Sequence, residues 1–251
     1  MAIDSHMHIN SIVLNDLNEE IDLINRDKNI ESVINVGLNY ETSEESVLIS
    51  DKNSKFYSVV GIHPLYIDGQ DFNFLYDLAK KERVVGIGEI GLDNLNDNFE
   101  LQKRYLIEQI IIANDLHLPV VIHSNNMNKT VIEIFERVVK PKYGCVFHCF
   151  QPDMEDLEYL IANEYYISFA GRITYKSAKK SIEIAKVVPN DLFLVETDSP
   201  YISPEPFREE INHSSNLIHI IDKIAKVKEM NYEEIEELTS ENTKRLFKKL
   251  G

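Results

Sequence analysis

Ala2-Ile3-Asp4-Ser5-His6-Met7-His8 reads as a short apolar strand that closes on two histidines. Residues two apart on a strand share a face, so Asp4, His6 and His8 project together. Two imidazoles side by side at a strand end suit one divalent cation, with the neighbouring carboxylate placed to assist. A lone His-x-His is only three residues long and more often marks a surface strand near a flexible terminus. It carries weight here because later apolar runs close the same way, each on a potential ligand.

Those runs alternate with helical stretches. Leu17 to Lys28 has Leu17, Ile21 and Ile24 at helical spacing, and Ser32 to Gly37 follows as a buried-type strand. Thr42 to Ile49 is predicted helical, with Thr42-Ser43-Glu44-Glu45 as a capping-box-like start. Strands at Tyr57–Ile62, Val84–Ile87, Pro119–Ile122, Cys145–Phe147, Tyr165–Phe169 and Leu192–Val195 alternate with helices at Phe72–Lys81, Glu100–Asn114, Thr130–Val139, Asp156–Ala162 and Ser177–Val187. Two more helices, Asn216–Val227 and Tyr232–Leu250, complete the chain. Eight short apolar strands separated by helices predict a (β/α)8 TIM barrel in the α/β class. A doubly wound open sheet is the alternative, weakened because no glycine-rich phosphate loop follows the first strand. Without repeats, low-complexity segments or linkers, residues 1–251 are expected to form a single domain.

Composition narrows the function. Hydrophobic content of 43% and charged content of 27% are ordinary for a globular protein, but the formal net charge of −16 is not. It opposes nonspecific nucleic-acid binding through the backbone unless metal ions or a local basic patch reverse the field. The cysteines, Cys145 and Cys149, form no disulfide framework and are expected to pack, Cys149 pointing away from His148 by strand alternation. With no signal peptide and no apolar stretch long enough for a bilayer, a cytoplasmic protein without a membrane or obligate protein partner is the expectation.

Position matters more than composition. His6 and His8, His63, Glu89, His123, His148 and Asp198 all follow or end predicted strands, where a barrel gathers its active site. Five of the eight histidines sort to those ends; His117, His213 and His219 do not. Imidazole and carboxylate suit Zn, Mn, Fe or Co, and with more water Mg. Four histidines and two carboxylates exceed the needs of one tetrahedral ion, so two divalent metal ions (Mg, Mn or Zn) about 3.5–4 Å apart are the natural arrangement. Such a pair activates water for hydrolysis, and Asp198 is placed to take the proton as general base.

The motifs Asp4-Ser5-His6-Met7-His8, Gly61-Ile62-His63-Pro64, Gly88-Glu89-Ile90-Gly91-Leu92-Asp93, His123-Ser124, His148-Cys149-Phe150 and Glu196-Thr197-Asp198-Ser199-Pro200-Tyr201 closely resemble the TatD family of metal-dependent deoxyribonucleases, of the amidohydrolase superfamily. The resemblance runs nearly end to end, through Phe169–Lys176 and Glu241–Phe247. It implies that His6, His8 and Asp198 bind one metal, that His123 and His148 bind the other, and that Glu89 bridges them. It further implies that His63 faces the substrate phosphate, that Asp93 orients groups around Glu89, and that the reaction is hydrolysis of DNA phosphodiesters, with 3′→5′ exonuclease action in some members.

Departures fall on substrate contacts. Asn125 stands where many relatives carry arginine, Asn94-Leu95 replaces a tyrosine pair, and Gln151-Pro152 replaces serine-glycine. The stretch Arg208-Glu209-Glu210-Ile211-Asn212-His213-Ser214 keeps Arg208 and Asn212 but loses a lysine and a glutamate of the usual pattern. Lost cationic and aromatic groups remove phosphate contacts and stacking surfaces. Of Lys129, Arg172, Lys176 and Arg208, which all follow strand ends, Arg208 is the favoured phosphate contact because a guanidinium grips bidentately. Three functions stay open: a two-metal exonuclease acting on single-stranded or damaged DNA ends, a two-metal enzyme for a carboxylic ester or amide, and a non-catalytic metal-binding scaffold. The intact ligand set disfavours the third, since buried charges without metal are costly.

Overall fold

The structure, a computed structural model, describes residues 1–9, 16–67, 69, 71–95 and 97–250. Eight parallel strands follow one another around the sheet in chain order: β1 (Ala2–Met7), β2 (Ile30–Val36), β3 (Phe56–Val60), β4 (Val84–Asp93), β5 (Val120–Asn125), β6 (Cys145–Phe147), β7 (Tyr166–Phe169) and β8 (Phe193–Val195). Between them run α1 (Leu17–Arg26), α2 (Tyr40–Lys52), α3 (Asn73–Leu78), α4 (Phe99–Asp115), α5 (Asn128–Arg137), α6 (Met154–Ala162) and α7 (Lys179–Val187). After β8 come α8 (Leu217–Lys228) and α9 (Tyr232–Leu246). This is the (β/α)8 TIM barrel that the alternation predicts.

Local chemistry explains where the elements begin. Asp16 caps α1 by accepting from the Asn18 and Glu19 N–H groups, and Asp153 does the same for α6 from Glu155 and Asp156. The capping box of α2 lies earlier than Thr42. Asn39 is the cap, its side chain accepts from Thr42 N–H, and Thr42 Oγ1 accepts from Asn39 N–H at 3.1 Å. Thr42 is thus the third helical residue, answering the cap. The acidic run Glu233–Glu237 opens α9, where Glu234 completes a box with Asn231.

The largest difference from the sequence expectation is β4. It continues for six residues past Ile87 and pairs with β5 as far as Asp93 opposite Asn125. Glycine permits this. Gly91 has φ +154°, and a Cβ there would lie 1.8 Å from the His123 carbonyl oxygen. Only a residue without a side chain lets the two backbones run this close. Glu89 and His123 therefore sit inside paired strands, a more rigid setting than the strand ends at which the sequence places them.

Two main clusters of apolar side chains form the core, beside a small third one of Ile62, Ile67 and Tyr105. The larger lies between strands and helices and includes Ile24, Leu106, Val131, Leu157, Ile184 and Ile221. The smaller draws at least one residue from each of β2 to β8, among them Val36, Val59, Val121, Val146 and Leu194, together with Leu246 and Phe247. Only the barrel lumen can bring those strands together, so the end of α9 plugs it. The barrel closes differently between β8 and β1. Asp198 N–H donates to the His6 carbonyl at 3.0 Å, His8 N–H to the Ser199 carbonyl at 2.7 Å, and Ser5 Oγ to the Val195 carbonyl at 2.9 Å. The buried Asp4 carboxylate completes this seam, accepting from Thr197 N–H (2.9 Å), Thr197 Oγ1 (2.5 Å) and Ser214 Oγ (2.8 Å). Burial pushes its pKa up to about 7 against those hydrogen bonds. The shared strand face predicts Asp4 beside His6 and His8; its carboxylate braces the β8 seam instead.

Truncating the plug tests this packing. Phe247→Ala removes a fully buried ring, which costs about 3–5 kcal/mol. Thermal unfolding by circular dichroism should then show the midpoint lowered by roughly 6–20 °C, at about 2–4 °C per kcal/mol for this size.

Candidate metal centre

Glu89 projects from the middle of β4 into a nest of imidazoles and is 2% exposed. Its Oε1 lies 2.6 Å from His123 Nδ1, 2.7 Å from His148 Nε2 and 3.6 Å from His63 Nε2. Its Oε2 lies 3.5 Å from both His6 Nε2 and His8 Nε2. Asp198 closes the second side, its Oδ1 3.8 Å from His6 Nε2 and 3.5 Å from His8 Nε2. The ring nitrogens of His6 and His8 are 3.0 Å apart, and the His6 and His148 rings stack at 4.1 Å. Ligand atoms of His6, His8 and Asp198, of His6, Glu89 and His148, and of His63, Glu89 and His123 each gather within 4.8 Å. These buried groups are able to bind a metal, and imidazole nitrogen with carboxylate oxygen is a fitting donor set for a divalent ion.

The outer contacts set the ring tautomers. His8 Nδ1–H donates to the Val36 carbonyl at 2.9 Å, leaving the Nε2 lone pair facing inward. His123 Nε2 is 2.8 Å from Asp93 Oδ2 and His148 Nδ1 is 3.4 Å from Glu196 Oε1, so each turns its other nitrogen to Glu89. A carboxylate or carbonyl behind the ring is the usual device that fixes a metal-binding histidine. His63 is wired in reverse. Its Nδ1 accepts from Leu65 N–H at 3.1 Å, so the neutral ring carries its proton on Nε2, the atom that faces Glu89. A protonated nitrogen donates; it does not ligate.

Electrostatics follow from the same crowding. Burial alone would raise the Glu89 pKa, but the His148, His63 and His123 rings hold it well below the carboxylate range. Burial likewise works against the charged form of His8, yet Asp198 and Glu89 push it up to about 10, and Glu89 with Glu196 holds His148 high. His63 is driven by burial down to about 3. The pattern is that of carboxylates demanding positive charge, which protons or metal ions can supply in exchange.

Of the residues named from sequence, His6, His8, Glu89, His123, His148, Asp198 and His63 converge here, and Asp93 stands behind His123. Arg208 does not join them; its guanidinium lies 4.3 Å above the Tyr175 ring. The open cleft beside Asp198 and His148 is lined instead by Ser124, Asn125, Cys149, Gln151 and Arg172. Cys145 is buried as expected, but Cys149 lines the cleft, because strand alternation has ended by His148 and Cys149 takes φ +42°. Asp198 (φ +53°) and Ile202 (φ +51°) also adopt left-handed backbone around this cleft, an arrangement that costs energy and concentrates at functional sites. Glu196, which stands behind His148, is not among the residues named from sequence, although its spacing of two from Asp198 is a signal that it shares the site.

The profile of the TatD related DNase family matches residues 3–248. An uncharacterized metal-dependent hydrolase of Bacillus subtilis (strain 168), YabD, is 34% identical over 254 residues, covering 99% of each chain. YcfH of Escherichia coli (strain K12), also described as an uncharacterized metal-dependent hydrolase, is 31% identical over 98% of this chain and 95% of its own. The crystal structure of the TatD homologue YJJV from Escherichia coli K12 superposes with a TM-score of 0.87 at 24% identity, covering 98% of both chains, which shows the shared fold.

Glu196→Gln keeps an acceptor for Cys149 N–H, which lies 2.6 Å from Oε1, but removes the charge behind His148. Loss of such a partner lowers metal affinity by about 10–100-fold. Competition with a chelator should show that loss with an unchanged circular dichroism spectrum.

Proposed function

The chain belongs to the TatD family of metal-dependent hydrolases, and from that membership we propose a two-metal phosphodiesterase that shortens DNA from its ends. The division of Glu89 carries this reading: one oxygen faces His123 and His148, the other faces His6 and His8. His6, His8 and Asp198 would hold one divalent ion, His123 and His148 the other, and Glu89 would bridge them; Mg, Mn and Zn all suit the donors. Such ions supply Lewis acidity toward a phosphate oxygen and lower the pKa of a water.

The remaining work belongs to the chain. Asp198, held ionised by His8 against its burial, accepts the proton of the attacking water. His63 donates its Nε2–H to a non-bridging phosphate oxygen as negative charge builds there. Asp93, Glu196 and the Val36 carbonyl keep His123, His148 and His8 from rotating.

The test is cleavage of end-labelled single- and double-stranded DNA by metal-stripped protein restored with Mg²⁺, Mn²⁺ or Zn²⁺. Metal-dependent shortening is expected, lowered about 10²–10⁴-fold in Asp198→Asn. DNA left intact by protein that binds two metals would overturn the substrate assignment and direct assays to esters and amides. His63→Ala should lower kcat by about 10²–10³-fold while metal content per chain, measured by elemental analysis, stays at the wild-type value. A fall in metal content would make His63 a ligand.

A further inference from the structure

We propose that Arg172 and the Ser124 hydroxyl form a second anion subsite beside the metal centre, one that takes a phosphate other than the phosphate being attacked. The proposal rests on the phosphodiesterase reading for its substrate class. Both residues line the cleft that Asp198, His123 and His148 also border. Arg172 is exposed, and although its carbonyl accepts from Tyr175 N–H, its guanidinium has no hydrogen bond, ion pair or ring contact among the described residues. Of the other cations that follow strand ends, Lys129 pairs with Glu155 at 3.0 Å, Arg208 covers Tyr175, and Lys176 does not line the cleft. Ser124 Oγ is buried and has no partner among the described residues.

The neighbouring amides are already satisfied. Asn125 Nδ2 donates to Asp93 Oδ1 at 3.2 Å, Gln151 Nε2 donates to Asn125 Oδ1 at 3.0 Å, and Gln151 Oε1 accepts from Asn126 N–H at 3.0 Å. This chain of bonds stiffens the cleft wall and leaves Ser124 and Arg172 as its open donors. The backbone that carries Arg172 is fixed as well. It follows Gly171 on the 3-10 turn Gly171–Thr174, where a Cβ would stand 1.9 Å from the Ile202 carbonyl oxygen. A permanently charged, planar guanidinium held over a cleft with an unpaired hydroxyl matches the tetrahedral oxygens of a phosphate. In an oligonucleotide the phosphate beside the scissile one answers that description, so the subsite would favour substrates with two phosphates in sequence over a lone phosphate ester.

Calorimetry on manganese-loaded protein tests this with thymidine 3′,5′-bisphosphate and thymidine 5′-monophosphate. Wild type should bind the bisphosphate about tenfold more tightly. Arg172→Gln should bring the two affinities within about twofold, and Arg172→Lys should keep part of the preference. A wild-type protein with equal affinities, or an Arg172→Gln protein that retains the preference, overturns the subsite even if DNA is cleaved. A preference that depends on Arg172 in a protein that leaves DNA intact upholds the subsite and removes only the proposed substrate.

Discussion

Glu89 is a carboxylate withdrawn almost entirely from water, and most of the barrel mouth can be understood as its compensation. An ionised group cannot be buried without partners except at large cost. Here five histidines from four stretches of chain converge on its two oxygens. That convergence requires β4 to run on beyond the point where its apolar residues end, and Gly91 makes this possible by letting β5 lie against it. One charge in the wrong place for solvent thus dictates backbone geometry on two strands and ring orientation on four loops or strand ends.

Proton position, more than residue type, separates the roles of these histidines. His8 gives its outer N–H to the Val36 carbonyl and His123 gives its own to Asp93, His148 sets its outer nitrogen against Glu196, and all three turn a lone pair inward, whereas His63 accepts from its own turn and turns a proton inward. Four chemically identical side chains are in this way sorted into three that offer a lone pair and one that offers a proton, by contacts made behind them. A substitution in that outer layer would change function without touching a residue that meets substrate.

The pattern of apolar runs and their closing residues was enough to read the barrel and the inner residues of the site, because both depend on local periodicity and on a rule that places active sites at strand ends. What escaped was set by tertiary contact. The length of β4 depends on a glycine tolerated by a neighbouring strand, which periodicity does not register. Asp4 shares a face with His6 and His8, yet donors on a loop nearly two hundred residues away claim its carboxylate. Arg208 looked better placed than Arg172 by motif, but the Tyr175 ring holds it. For Cys149 the alternation rule had lapsed two residues earlier, at the end of β6.

The seam between β1 and β8 joins residues 190 to 210 positions apart, through Ser5 with Val195, Asp4 with Thr197, and Asp4 with Ser214. Contacts of such long range form late, since the chain must first meet the entropy of closing so large a loop. His6 and His8 are synthesised before Asp198, their companion, which is placed only when the last strand docks. A partly folded or partly synthesised chain therefore holds histidines without the arrangement that binds an ion between them. Order of assembly withholds the reactive centre until the barrel has closed around it.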